Sequence, residues 1–485
     1  MEENTVILRA NGLLNELLST YDEKYHHTTI VSSIYDTAWV SMVRKPQTSD
    51  ISDWAFPMCF DFLCQNQAGD GGWGCPVSIM DRITSTFICL LAIKKHLRVS
   101  GNLSVKSRLS LQHQAARAIE YIHLNIGFWD LGSSDAQLPI GFELWFPVVI
   151  EKLEEEGVVF EISGIDRILK LRQEKLSRFP LEVLYNPSGL FQPSPLYTLE
   201  GFIGLLDFSK LSHHLRFGSM FTSPSSTAVY LMESSVWDPE AEAYLQHVVE
   251  QSIVKHGRCV PQMFPTSTFD IDWVLNLFVD GGLDLKKLDA NSVKELGNII
   301  LQGVEKQGGI MGADQHVCPD PDSTAMAYKT IYHALGIHHP VQPMIDAFEG
   351  PKNYVTYRSE RDPSISSNAH VLQALKLGPD SRENTSSIEK CITYLCETWS
   401  DTHGLVQDKW SLSEYYATVA LTQALSDYLV ALSEERVEAV SEKLLKVYIP
   451  LTLLQAVVRI LLRQNADGSW GSTSIREDTP TQSLS

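Results

Sequence analysis

Residues 65–74 read QNQAGDGGWG, and residues 464–471 repeat the phrase as QNADGSWG. Each copy predicts a helix that ends near the glutamine, an Asp-Gly turn, and a tryptophan that packs back on the helix end. More divergent copies of the phrase occur at residues 216–228 and 306–312. Repeated helix–turn units are typical of stacked helical hairpins that close as α/α barrels.

The stretches between these turns have helical periodicity. Apolar residues recur at helical spacing in residues 83–97, 415–432 and 451–462. Alternating strand patterns are scarce, and clusters of Gly and Pro separate the segments. The sequence therefore predicts a nearly all-α protein.

Composition narrows the possible partners and compartments. The 485 residues are 44% hydrophobic and 20% charged, which indicates a globular protein of two or three domains. The net charge of −20 argues against nucleic acid and anionic membrane surfaces as partners. Eight irregularly spaced cysteines and the acidic start MEENTVILRA predict reduced thiols and a cytoplasmic location. Arg459 interrupts the most apolar run, so we expect no membrane span.

A second stretch, CPDPDSTAMAY at 318–328, carries two closely spaced carboxylates. The residues alone leave open a helix cap, a metal site or an acid that delivers a proton. Asp320 suits the N-cap, Pro321 suits the first helical position, and Asp322 in the first turn complements the helix dipole. A cap and an acid are compatible, because a helix N-terminus stabilises the aspartate left after proton transfer.

Longer phrases carry a resemblance to a known family. The chain resembles the class II diterpene cyclases, and most of all the βγ part of the fungal bifunctional diterpene synthases, from about residue 30 to residue 478. The repeated phrase resembles their QW motif. The other phrases that carry the likeness are SSIYDTAWVSMV (32–43), PIGFELWFP (139–147), FTSPSSTAVYLM (221–232), VPQMFPTSTFDIDWVLN (260–276), PDPDSTAMAY (319–328) and LVQDKWSLSEYYATVAL (405–421).

The resemblance implies an all-α fold of two α/α-barrel-type domains. Residues 1–50 would be the N-terminal segment of the β domain, residues 51–259 an inserted γ domain, and residues 260–485 the rest of β. The family's active site lies between the two domains. The sequence contains no DDxxD motif, so we expect no class I α domain and no ionisation of a diphosphate by a metal cluster.

The implied reaction begins when a carboxylic acid protonates the terminal alkene of geranylgeranyl diphosphate. Family members carry DxDD followed by Thr-Ala, which matches Asp322 to the acid and Asp320 to its support. The last Asp of the motif is Ser323 here, and we expect its hydroxyl to donate a hydrogen bond to the Asp322 carboxylate. The second DxD phrase, at 270–272, is expected to be structural.

Other site residues are carried over from the resemblance. Lys175 and Lys409 match lysines that bind the substrate diphosphate, and Glu143 matches a glutamate implicated in handling Mg²⁺. Tyr197 and Gln262 stand where plant enzymes have a His and an Asn that hold a water. Three aromatic residues could stabilise carbocations or simply fill the core: Trp273, Trp410 and Tyr416.

Several alternatives stay open at this point. A degenerate member could act as a scaffold for a class I partner, or farnesyl diphosphate could be cyclised to a drimane skeleton. A glycoside hydrolase on an α/α barrel would need two separated carboxylates. The chain ends TPTQSLS where the family continues with a helix, and Pro480 opposes one here. We therefore expect part of the β domain's inner apolar wall to be exposed.

Overall fold

The fold is taken from a computed structural model of the chain. It describes residues 2–21, 24–25, 32–46, 54–76, 78–99, 103–133, 138–187, 189, 191–255, 257, 259–357, 360, 363–378, 382–402, 404–411, 413–465 and 468–470. The side chains of residues 2, 254 and 255 lie outside this description. Over these ranges the regular structure is helical, and extended pairing is limited to isolated bridges. The predicted all-α class is confirmed.

The helices fall into two compact units, which we call the terminal unit and the inserted unit. The terminal unit comprises Met1–Asp22 and Ser267–Ser485, and the inserted unit comprises Glu23–Thr266. The inserted unit contains α2 (Ile34–Ser41), α3 (Pro57–Gln65), α4 (Ile79–Val99), α5 (Val105–Asn125), α6 (Phe142–Glu155), α7 (Ile165–Arg178), α8 (Pro224–Glu233) and α9 (Pro239–Lys255). The terminal unit contains α1 (Glu2–Ser19), α10 (Ser267–Asp280), α11 (Ala290–Lys306), α12 (Pro321–Leu335), α13 (Gln342–Phe348), α14 (Ile365–Leu375), α15 (Thr385–Ser400), α16 (Glu414–Ser433) and α17 (Ile449–Leu461).

The first domain boundary differs from the sequence prediction. Residues 1–50 were expected with the terminal unit, but only residues 1–22 group there. The reason is α2, which packs on α3, α4 and α8 of the inserted unit and buries Ala38, Trp39 and Val40. The second predicted boundary, between residues 259 and 260, lies close to the observed one after Thr266.

Side-chain caps fix where several helices begin. Ser104, Ser223 and Ser364 each accept a hydrogen bond from the backbone N–H three residues later, at the starts of α5, α8 and α14. Asp289 and Asp320 do the same for α11 and α12. These bonds satisfy N–H groups that a helix leaves without an internal partner.

The core of the terminal unit forms around α12 and α14. Helix α12 packs on α10, α11 and α14, and α14 packs in turn on α15 and α16. All eleven residues of α14 are buried, polar ones included. A histidine, an asparagine and a glutamine on this helix must therefore find partners inside the protein.

The repeated phrase forms the same turn in both units. Trp73 Nε1 donates to Leu63 O, and Trp470 Nε1 donates to Ile460 O, each over 2.8 Å. Gln67 and Gln464 each donate to a glycine carbonyl four residues later, also over 2.8 Å. The predicted return of the tryptophan to the preceding helix end is confirmed in both copies. Residues 466, 467 and 471 of the second copy lie outside the described residues, as does the TPTQSLS tail.

One described helix is long and apolar enough to cross a membrane. A π-helical turn, Leu444–Tyr448, continues into α17, and the 18 residues Leu444–Leu461 have a mean hydropathy of 1.7 with 22% of them buried. The helix begins before residue 451, where the sequence analysis placed the start of this apolar segment, and the expectation of no membrane span stays a prediction. Leu454 and Leu461 on its outer side are more than half exposed. Length and composition are the whole basis of this observation.

Candidate active site

Asp320 caps the helix that carries both carboxylates of the DPD stretch. Its side chain accepts hydrogen bonds from the backbone N–H of Ser323 at 2.8 Å and from the Ser323 hydroxyl at 2.9 Å. Pro321 occupies the first turn of α12, as the sequence predicted. Burial raises the pKa of Asp320 to about 7, and the charge of Asp322 adds to the rise.

The predicted partner of Ser323 is wrong. Its hydroxyl donates to Asp320, whereas the sequence predicted a bond to Asp322. The helix geometry explains the difference, because the residue three positions after an N-cap points back at the cap. Ser323 therefore helps to hold Asp320 in place and leaves Asp322 to another partner.

That partner is His370, which the sequence analysis did not identify. His370 Nδ1 lies 2.5 Å from Asp322 Oδ1, and the two side chains are 10% and 12% exposed. The pair joins the first turn of α12 to the middle of α14. A carboxyl group held by an imidazole in a nearly dry setting can release a proton, because the imidazole N–H then donates to the carboxylate left behind.

Aromatic side chains lie beside this pair. The Trp273 ring meets the His370 ring edge-on with centroids 6.1 Å apart, and Phe269 stacks on Trp273 at 4.0 Å. Burial raises the pKa of Tyr416, and the charge of Asp322 adds to this effect. Trp273 and Tyr416 thus lie close to Asp322. Trp410 is instead 38% exposed and lies beside Lys409.

The second DxD phrase lies within α10. Asp270 and Asp272 are both buried, and burial raises the pKa of Asp272 well above its ordinary value, opposed by a hydrogen bond with Thr330 of α12. Asn276, one turn later, donates to Thr330 Oγ1 at 2.9 Å. Asp272 therefore lies at the α10–α12 contact, consistent with the structural role expected for it.

Each of the two candidate diphosphate-binding lysines is paired with a glutamate. In the terminal unit Lys409 forms an ion pair with Glu360, and both side chains are mostly buried. In the inserted unit Lys175 Nζ lies 2.7 Å from Glu143 Oε1, with Glu143 on α6 and Lys175 on α7. These carboxylates hold the ammonium groups in fixed positions. A lysine side chain without such a partner is flexible, and its ammonium group has no fixed position.

The inserted unit also brings Tyr197 and Gln262 together. Gln262 Nε2 donates to Tyr197 Oη over 2.8 Å, which leaves the tyrosine hydroxyl proton able to donate elsewhere. Burial raises the pKa of Tyr197, and the charges of Asp36 and Glu200 add to the rise. The pair can hold a water molecule, although neither side chain is a base near neutral pH.

A buried acid cluster lies in the same unit. Tyr35 Oη and Ser226 Oγ donate to the two carboxylate oxygens of Glu200, at 2.8 and 3.2 Å. Ser33 Oγ donates to Asp36 at 2.5 Å, and the backbone N–H of Ser225 donates to it at 3.2 Å. Burial raises the pKa of Glu200 to about 7 and that of Asp36 to about 6.

Comparison with curated proteins finds relatives along almost the whole chain. The phyllocladan-16-alpha-ol synthase of Phomopsis amygdali is 33% identical over 471 residues, which are 97% of this chain and 46% of that protein. The copalyl diphosphate synthase of Talaromyces verruculosus is 32% identical over 470 residues, 97% of this chain and 48% of that protein. The chain is similar to fungal diterpene cyclases over almost its whole length. It spans about half the length of these relatives, and no family model matches.

Solved structures support the fold of this chain. The ent-copalyl diphosphate synthase of Streptomyces platensis superposes with a TM-score of 0.69 at 21% identity, over 96% of this chain and 85% of that one. At this identity the likeness shows the fold alone. The two-domain βγ helical architecture expected from the resemblance is confirmed.

Three functional candidates in this chain escaped sequence reasoning: His370, Glu360 and Glu200. His370 carried one readable signal, since it is the lone imidazole in the apolar segment ISSNAHVLQAL. Its partner is 48 residues away in sequence, so only the packing of α14 on α12 reveals the pair. Glu360 and Lys409 are likewise 49 residues apart.

Proposed function

We propose that the protein is a class II diterpene cyclase that converts geranylgeranyl diphosphate to a copalyl-type bicyclic diphosphate and leaves the diphosphate intact. The observation that carries the proposal is the Asp322–His370 pair, buried beside aromatic rings at the N-terminus of α12. It stands in a chain homologous to fungal diterpene cyclases.

Asp322 is the acid in this proposal. Its proton adds to the terminal alkene carbon, a tertiary cation forms, and two C–C bonds close as neighbouring alkenes attack in turn. The final cation loses a proton, so the reaction is an isomerisation. The carboxylate that Asp322 becomes is stabilised by the N–H of His370 and by the N-terminus of α12.

Asp320 supports the acid without taking part in proton transfer. Its bonds to the Ser323 N–H and hydroxyl fix the first turn of α12 and hence the backbone of Asp322. Because its pKa is about 7, Asp320 is largely neutral in mildly acidic solution. Less negative charge beside Asp322 makes a second carboxylate easier to form there.

The carbocations would be stabilised by the rings beside the acid. Trp273 and Tyr416 present π electrons close to Asp322, and a π face attracts a desolvated cation by about 2 kcal/mol. Trp410 lies beside Lys409 and is better suited to the head-group end of the substrate.

Lys175 and Lys409 would bind the diphosphate oxygens. In an acidic protein of net charge −20, an anionic substrate needs local cations of this kind. Each lysine would keep its glutamate while it donates its remaining ammonium protons to the diphosphate.

We further propose that Mg²⁺ accompanies the substrate. No group of three or more His, Cys, Asp or Glu residues that could hold a metal ion occurs in the part of the chain the structure describes. Mg²⁺ commonly binds through one or two carboxylates plus substrate phosphates, which fits Glu143 as a single protein ligand. When bound, Mg²⁺ would neutralise diphosphate charge.

The final proton would leave through water held by Tyr197 and Gln262. Since neither is a base, the water itself accepts the proton and passes it to solvent. A class I enzyme acting downstream would then ionise the retained diphosphate.

One feature favours a second candidate, a non-catalytic homologue that acts as a scaffold. Ser323 replaces the last carboxylate of the family's DxDD motif, and here it only supports Asp320. The candidates are separated by incubating the purified protein with C15 and C20 prenyl diphosphates and Mg²⁺, followed by phosphatase treatment and product identification. A bicyclic alcohol from the C20 substrate supports the proposal. A drimane alcohol from the C15 substrate would show that the protein is a cyclase whose substrate is farnesyl diphosphate. Absence of product from both supports the scaffold.

A further inference from the structure

Helices α12 and α14 are joined by two successive polar contacts. The first joins Asp322 to His370. The second joins Lys329 to Gln373, with the lysine Nζ 2.7 Å from the glutamine Oε1. Lys329 follows Asp322 by two helical turns, so the two side chains lie on similar faces of α12 and about 10 Å apart along its axis.

The second contact is part of a buried charge network. The Lys329 side chain is 4% exposed, and its ammonium lies 3.4 Å from Asp280 Oδ2 at the end of α10. Gln373 Nε2 donates to Asp427 Oδ2 on α16 at 2.9 Å. Lys376, just after α14, pairs with the same aspartate oxygen at 3.2 Å. Burial lowers the pKa of Lys329, and the nearby aspartates oppose this effect.

Burying an ammonium group is costly even when it is paired, and an apolar side chain would pack at this position more cheaply. The nearest partner of Lys329 is a neutral amide, and its ammonium also forms an ion pair with Asp280 at 3.4 Å. Its positive charge also acts along α12, because Coulomb interactions add and the ion pair with Asp280 does not cancel the separate interaction of Lys329 with a third charge. Asp322 lies in that direction and is among the charges that act on Lys329.

Other titratable groups near α12 also contribute to the electrostatic potential at Asp322. The titratable residues of α11 and α13 are exposed to solvent: Lys294, Glu295, Glu305, Lys306 and Asp346. Those that lie on the buried side of α12 or act on groups there include Asp272 and Asp280 of α10, His370 of α14, Lys376 beside α14, Asp408 before α16, Tyr416 and Asp427 of α16, and Asp320, Tyr328 and His333 of α12 itself.

We propose that Lys329 is a positioning residue of the acid site: its charge, two turns from Asp322, stabilises the carboxylate that proton transfer leaves and sets the pH range in which Asp322 works. The inference rests on the proposed function, since it assigns Lys329 a role through the acid. Two unit charges about 10 Å apart at an effective dielectric constant of about 20 interact strongly enough to shift a titration by roughly one pH unit.

The test compares the pH dependence of kcat/KM for three variants on geranylgeranyl diphosphate. Lys329→Met removes the charge, and the alkaline limb of the profile should move up by about one pH unit, because the acid then holds its proton more tightly. Lys329→Arg keeps the charge and should restore the limb. Gln373→Leu breaks the same hydrogen bond without changing any charge, so it should lower stability and leave the limb in place. An unmoved limb in Lys329→Met, or an equal shift in Gln373→Leu, overturns the proposal.

A second measurement separates this inference from the proposed function. The ring of His370 can be titrated by NMR in the wild type and in Lys329→Met or, if that variant does not fold, in Lys329→Gln. Loss of the positive charge should raise the His370 titration midpoint by about one pH unit. If no prenyl diphosphate is turned over, the proposed function fails while this titration still tests the coupling. An unchanged midpoint contradicts it.

Discussion

Replacing Asp322 by Asn should abolish cyclisation while the protein stays folded. Asn has nearly the same shape as Asp, so the packing of α12 against α14 is kept. Its amide has no proton acidic enough to transfer to an alkene. Removal of a general acid costs at least about 100-fold in rate, and the loss here should be larger because no second carboxyl contacts the position of Asp322 in the described part of the chain.

The structural cost of this substitution is bounded by the contact that it weakens. Asp322 makes one short side-chain bond, to His370, and a hydrogen bond to a charged group is worth about 1.5–3 kcal/mol. A protein with about 5–15 kcal/mol of stability tolerates that loss. Thermal unfolding followed by circular dichroism should show a lowered but cooperative transition.

The matched control is Asp272→Asn in the other DxD phrase. Burial raises the pKa of Asp272 well above its ordinary value and so disfavours its charged form, which makes a neutral amide a close substitute. Rates are measured for both variants by product quantification after phosphatase treatment. If Asp322→Asn keeps more than about a tenth of wild-type turnover, or if Asp272→Asn is equally inactive, Asp322 is not the acid.

Three further predictions concern other parts of the molecule. Lys409→Gln should raise KM for the prenyl diphosphate at least about tenfold in steady-state assays, since it removes a cation that Glu360 holds in place; an unchanged KM would exclude Lys409 from head-group binding. Trp73→Phe should destabilise the inserted unit by about 1–3 kcal/mol in urea unfolding, because the Leu63 carbonyl loses its donor, whereas Trp470→Phe, at a 37% exposed position, should cost less. Folded Glu200 keeps its proton up to about pH 7 and an unfolded glutamate loses it near pH 4.5, so stability should fall as pH rises from 5 to 7.5. Glu200→Gln should remove up to about 3 kcal/mol of that fall, and an identical pH dependence in the variant would show that Glu200 does not titrate as described.

Local sequence signals predicted the fold well. Helical periodicity and Gly-rich turns predicted the all-α class, and the Trp73 and Trp470 contacts follow from the repeated phrase. The cap at Asp320 could also be read from its neighbours, since capping depends on residues within one turn. The boundary near residue 22 could not, because it depends on which unit buries α2.

The candidate site was only partly predictable for the same reason. Asp322 and the two lysines stand in recognisable phrases, but each partner comes from a distant segment. The Ser323 prediction failed on a local detail, since its hydroxyl had a choice between two carboxylates and helix geometry decided in favour of Asp320. The roles of Lys175, Lys409, Glu143, Tyr197 and Gln262 stay predictions.

Turnover in deuterated water tests the central claim most directly. The protein is equilibrated in ²H₂O and given geranylgeranyl diphosphate with Mg²⁺, and product deuterium and released pyrophosphate are both measured. Because Asp322 exchanges its proton with solvent and then delivers it to carbon, the product should carry one deuterium per molecule and still hold its diphosphate. A cyclised product without deuterium, or pyrophosphate released in step with product, would contradict protonation-initiated cyclisation.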